Sequence, residues 1–154
     1  MASFDLVGNF TCRLDEKGRL KLPSEVLAQL GEEHATRFVL NKGYEKCLVL
    51  YPKTVWERFT DQLKAVPDFM ASVREFKREF YRESYPVSKD GSGRILLSKS
   101  LLDYAGVDRE VSLICQGDKI EIWRTESFEE KRMDPADFAA LAEQFFANLY
   151  KTNS

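Results

Sequence analysis

Apolar and polar residues alternate in short runs through the first sixty positions and do so again beyond residue 85. In NFTCRL (9–14) and RLKL (19–22) every second residue is apolar, the period of a half-buried strand. RFVLN (37–41) and KCLVLY (46–51) are continuous apolar runs of strand length. PSEVLAQL (23–30) and TVWERFTDQL (54–63) instead space their apolar residues by three and four, which predicts helices. Pro23 suits a first helical position, and Gly31 suits a left-handed cap at the end of that helix. The segment therefore reads strand, turn, strand, short helix, strand, strand, helix.

The same order is expected twice. A shift of 75 positions lays Asp15, Gly18, Arg19, Leu22, Leu27 and Gly31 on Asp90, Gly93, Arg94, Leu97, Leu102 and Gly106, with Leu20 and Val26 on Ile95 and Leu101. Chance would supply about one identity in such a window, so six in register mark a duplication. Further on, CLVLYPKTVWERF (47–59) resembles KIEIWRTESFEEK (119–131). Each passes from an apolar strand through an aromatic, Tyr51 or Trp123, into a helix holding Trp56 or Phe128. Gly106 is expected to cap its helix as Gly31 does.

Two further helices are predicted. In DFMASVREFKREFYR (68–82), Phe69, Val73, Phe76 and Phe80 form one stripe, while Arg74, Arg78 and Arg82 run beside Glu75, Glu79 and Glu83. The Glu75/Arg78 and Glu79/Arg82 spacings allow ion pairs. A solvated, salt-bridged helix and a surface that docks on a neighbouring subunit both fit this pattern. DPADFAALAEQFFANLY (134–150) opens with Asp134 as N-cap, Pro135 at the first helical position and Asp137 in the first turn. Phe138, Leu141, Ala142, Phe145, Phe146 and Leu149 then share a face, part of which is expected to be buried on oligomerisation. The expected organisation is one compact domain, 1–154, with repeats at 7–67 and 83–133, a connecting helix at 68–82 and a C-terminal helix at 134–154.

Composition narrows the chemistry. At 154 residues the chain has room for one core, and 44% hydrophobic with 31% charged residues is an ordinary soluble balance. No apolar run approaches the roughly 18 residues of a membrane span, and MASFDLVGNF lacks the basic start and apolar centre of a secretory signal. A cytoplasmic location is expected. Cys12, Cys47 and Cys115 lie far apart without C-x-x-C spacing and read as small buried residues of a reduced protein. His34 reads as a solvated turn residue. A zinc site needs about four ligands, so no metal or other cofactor is expected. No P-loop, G-x-G-x-x-G or nucleophile-base pattern is present, which argues against an enzyme and a small-molecule substrate.

The net charge of -2 counts against nucleic acid, but its distribution does not. Residues 13–21 carry Arg13, Lys17, Arg19 and Lys21 against Asp15 and Glu16, whereas Glu126, Glu129, Glu130, Asp134, Asp137 and Glu143 face only Lys131 and Arg132 in 125–150. Asp followed three residues later by Gly describes a tight turn: Asp accepts a backbone N–H, and Gly supplies the positive φ. The next residue, Arg19 or Arg94, begins the return strand of a hairpin. Two roles for that arginine stand open. It can fasten the hairpin through its Asp, or it can meet phosphate or guanine from the lip of the turn. Packing about a pseudo-two-fold axis would bring both turns to one edge of a shared barrel. The candidate DNA contacts are Arg13, Lys17, Arg19 and Lys21 from the first copy and Lys89 and Arg94 from the second. Asp15, Gly18, Asp90 and Gly93 shape the turns, and the more basic first copy is expected to be the stronger reader.

GRLKLPSEVLAQLG (18–31) resembles the swapped-hairpin DNA-binding motif of the AbrB superfamily. From about Val7 to Phe128 the chain resembles the MraZ family, through Gly8-Asn-Phe10, Asp15-x-Lys-Gly-Arg19, CLVLYP to Trp56, Asp90-x-x-Gly-Arg94 and Glu121-Ile-Trp123. Asp15, Lys17 and Arg19 match the first family motif and Asp90 and Arg94 the second, while Cys115 stands where the family often has Gly. The resemblance implies an α+β fold, a pseudo-symmetric duplicated swapped-hairpin β-barrel with flanking helices. It also implies a bacterial, nucleoid-associated transcriptional regulator of the division and cell-wall gene cluster, binding direct repeats in promoter double-stranded DNA as a ring homo-oligomer. A ring that presents several copies of a weak site gains about 10²- to 10⁴-fold by effective concentration, which suits an acidic subunit. The alternative is an oligomeric scaffold without sequence-specific DNA binding, assembled through the 69–80 and 138–149 helices.

Overall fold

A computed structural model describes residues 4–153. The first repeat comprises β1 (Asn9–Arg13), β2 (Arg19–Lys21), α1 (Ser24–Leu30), β3 (Arg37–Lys42), β4 (Leu48–Pro52) and α2 (Lys53–Lys64), and α3 (Ala71–Arg82) follows. The second comprises β5 (Tyr85–Ser88), β6 (Arg94–Leu96), α4 (Lys99–Ala105), β7 (Glu110–Cys115), β8 (Ile120–Arg124) and α5 (Thr125–Glu130), before α6 (Pro135–Asn153). Two capping expectations change. Pro23 precedes the first helical residue, at φ -58 and ψ 142, and its carbonyl accepts from Val26 and Leu27. Gly106 is left-handed as expected, whereas Gly31, at φ 77 and ψ 163, sends the chain out extended into the 32–36 turn. Asp134 does cap α6, its Oδ2 accepting from Ala136 N at 3.3 Å.

The fold is α+β. Six antiparallel strands form a sheet in the order β1-β7-β8-β4-β3-β5, and β2 pairs with β6 in a separate ribbon. Exchanging the repeats reverses that order onto itself, so a pseudo-two-fold axis runs between β4 and β8, near the Val49↔Glu121 pair, and between β2 and β6, at Leu20↔Ile95. Neither Asp-Gly turn joins the two strands that flank it into a ladder. β1 pairs with β7 and β2 with β6, and β5 likewise pairs with β3. This corrects the expectation of a hairpin within each copy and agrees with the swapped pairing that the resemblance implies. The two sheet edges, β1 and β5, each run through an Asp-Gly turn into the ribbon, which closes sheet and ribbon around one core.

Alternation explains that closure. Leu20 and Ile95 are fully buried, while their strand neighbours face outward. Beneath them lie Val26 and Leu101, equivalent residues of α1 and α4, together with Leu40, Leu50, Leu113 and Ile122 of the sheet. Each such side chain contributes about 1.5–3 kcal/mol when withdrawn from water, and this core belongs to both repeats at once.

The outer helices depart further from expectation. Phe69 lies before α3 and is 89% exposed, and α3 buries no residue completely. Its contact is aromatic: Phe80 stacks on Trp56 at 5.3 Å and meets Phe59 at 5.7 Å. Glu79 pairs with Arg82 at 3.8 Å and with Lys42 at 3.0 Å, but Glu75 and Arg78 form no salt bridge among the described residues. His34 is also not solvated. Its side chain is 14% exposed, with the Phe4 ring tilted against it at 5.3 Å. Cys47 is buried and Cys12 and Cys115 are half-buried, all as free thiols. Cys115 ends β7 without strain, and Gly117 takes the positive φ of the following turn. No helix among the described residues is long and apolar enough to cross a membrane.

Candidate nucleic-acid interface

The two turns repeat one hydrogen-bond scheme. Asp15 Oδ1 accepts from Lys17 N and Arg19 N, both at 2.9 Å, and Gly18 N donates to the Asp15 carbonyl at 3.0 Å. Asp90 Oδ1 accepts from Ser92 N at 2.8 Å and Arg94 N at 3.0 Å, and Gly93 N donates to the Asp90 carbonyl at 3.1 Å. Gly18 and Gly93 sit at φ 80 and φ 81, where a side chain is strained. Both carboxyls are held below the ordinary aspartate range. For Asp15 the leading cause is the Arg19 backbone N–H, joined by the Arg19 side chain; for Asp90 it is the Arg94 backbone N–H, then that of Ser92.

The arginine side chains differ. Arg19 Nε donates to Asp15 Oδ2 at 2.7 Å, whereas the Arg94 guanidinium has no hydrogen bond or salt bridge among the described residues. The charge of Arg19 also helps to hold Asp90 ionised, ahead of the charge of Arg94. Across the ribbon Lys21 stands opposite Arg94 and Arg19 opposite Leu96. Leu20 and Ile95 point into the core, so Arg19, Lys21, Arg94 and Leu96 make up the outward face. The turns flank this ribbon at opposite ends, tied by Leu97 N to the Gly18 carbonyl at 3.1 Å and Leu22 N to the Gly93 carbonyl at 3.0 Å.

Other candidates are placed less centrally. Lys17 is exposed at the tip of the first turn. Arg13 ends β1 opposite Glu110, outside the ribbon. Lys89 is half-buried at the position equivalent to the buried Leu14, and its backbone N–H donates to Thr36. Two contributors were not legible as candidates. Arg109 braces the first turn by donating Nε to the Leu14 carbonyl at 3.3 Å, across a long separation in sequence. Leu96 completes the outward face, and the 75-residue register that equates it with Lys21 is the signal that could have found it.

The ribbon thus presents three outward cations, Arg19, Lys21 and Arg94, beside one exposed leucine. Among the described residues no cluster of His, Cys, Asp and Glu could hold a metal ion. Comparison with known proteins agrees with the doubled architecture. The family model for the MraZ protein, described as antitoxin-like, matches twice, at residues 6–79 and 80–147. The chain belongs to the MraZ family. The transcriptional regulator MraZ of Cytophaga hutchinsonii is 31% identical over 94% of this chain and 96% of its own length. That of Syntrophomonas wolfei is 38% identical over 79% and 82%, and that of Thermobifida fusca 35% over 93% and 92%. Membership of the MraZ family makes the chain a transcriptional regulator and not an enzyme.

Proposed function

We propose that the protein is a bacterial DNA-binding regulator of the division and cell-wall gene cluster. It engages direct repeats in the cluster's promoter as a ring homo-oligomer and associates with the nucleoid. The observation that carries this reading is the outward face of the β2–β6 ribbon, with Arg19, Lys21 and Arg94 above a buried Leu20–Ile95 floor. A two-stranded ribbon fits the major groove, about 12 Å wide, where an arginine reads guanine or a phosphate beside it. Asp15 occupies only the Nε of Arg19, so the terminal nitrogens remain available to DNA.

Self-association is supported by the apolar side chains that α6 exposes, Phe138, Phe145, Phe146 and Leu149. The same exposure favours the scaffold reading, which DNA binding separates from the regulator. Gel-shift titration of the full chain on direct-repeat promoter DNA is expected to show retention, with Arg19→Ala weakening it by about tenfold or more, the value of one good base contact. Equal affinity for both proteins would remove Arg19 from the interface. No preference over scrambled DNA would leave the scaffold.

A further inference from the structure

The two flanks of the ribbon are chemically unequal, and the inequality falls on matched positions. Where the first repeat has Arg13 and Lys21, the second has Ser88 and Leu96. Leu96 is 56% exposed on a face whose other three positions are cationic, directly opposite Arg19. It also lines a shallow concavity of about 290 Å³ with Tyr85, Pro86, Val87, Ser88 and Ser98, so apolar surface continues from the ribbon onto β5. An aliphatic side chain here can make no phosphate contact. In the major groove the one apolar feature of a base edge is the thymine C5-methyl group.

We infer that Leu96 is a specificity-determining residue that packs on a thymine methyl group in the bound DNA. This rests on the ribbon entering the major groove as proposed above. Directly opposite residues of an antiparallel pair have Cβ atoms about 5 Å apart, and successive bases on a strand are about 3.4 Å apart. The thymine therefore lies in the same groove segment as the group that Arg19 contacts. At this one matched position the second repeat reads a base through Leu96, where the first gains affinity through the charge of Lys21.

The test uses duplexes selected from a random pool by the full chain, resynthesised with each thymine replaced singly by deoxyuridine, which lacks only the methyl group. Wild type is expected to lose about fourfold in affinity at one position per bound subunit, the value of one buried methyl. Leu96→Ala is expected to bind the thymine and deoxyuridine duplexes equally at that position. Equal deoxyuridine losses for both proteins, or no sensitive thymine at all, would overturn the role of Leu96 and leave the ribbon as the DNA interface. A fall in oligomer mass on Leu96→Ala, with the deoxyuridine effect intact, would overturn it in favour of a subunit contact. Failure of the wild-type chain to retain any DNA would overturn the interface itself, and Leu96 with it.

Discussion

In the first turn Asp15 binds two backbone N–H groups and also holds Arg19 Nε at 2.7 Å, whereas in the second Asp90 makes the same two backbone bonds and, among the described residues, no side-chain bond to Arg94. The turn therefore needs its Asp and its Gly but not an Asp–Arg ion pair. A purely fastening role for the arginine fails in the second copy. What the two arginines share is an outward place on a ribbon that each repeat half builds.

The largest test of that shared ribbon is its floor. Leu20→Ala and Ile95→Ala should each cost about 2–5 kcal/mol, measured by urea unfolding, since both side chains are fully buried in one core. A large cost at one position and none at the other would break the equivalence of the halves.

The aspartates sharpen the difference. Asn retains an oxygen for the backbone bonds, so Asp15→Asn and Asp90→Asn should both fold, but only Asp15→Asn releases an arginine. Discrimination between promoter and scrambled DNA should fall for Asp15→Asn and hold for Asp90→Asn. In the native protein both carboxyls are depressed, so their contribution to stability is fully present above the unfolded value of about 3.9. It is lost as pH falls through the lower folded values. Carboxyl-carbon NMR titration should place both midpoints below 3.9, with the Arg19 Nε–H resonance moving as Asp15 titrates.

The smallest effect concerns charge. Lys21→Ala should reduce the slope of log K against log salt by about one if Lys21 meets a phosphate. Leu96→Ala should leave the slope unchanged. Equal slopes for wild type and Lys21→Ala would mean that the cationic flank does not face the backbone.

Much of this was legible in the order of residues. Asp15 and Gly18 act on atoms within four positions of themselves, so the turn could be read locally; alternation in RLKL set Leu20 apart from its polar neighbours, and the 75-residue register carried that to Ile95. The standing of Arg13 could not be read, because Glu110 opposite it arrives through a ladder between strands almost a hundred residues apart. His34 was misread for a similar reason, since Phe4 covers it from outside its own turn. Phe69 kept the helical spacing of its stripe but precedes the helix, and spacing carries no information on where a helix begins.

Local chemistry and internal repetition in the sequence alone determined the element order, the two Asp-Gly turns and the duplication that relates them. Hydrogen bonds within a few residues and burial periods of two or 3.6 operate over the distance a sequence pattern can express. Only the tertiary structure decided that each turn feeds a strand into the other repeat's ladder, and that Arg19, Lys21, Arg94 and Leu96 share one face. Strand pairing depends on which distant edge completes the core. No local preference of either strand encodes that choice.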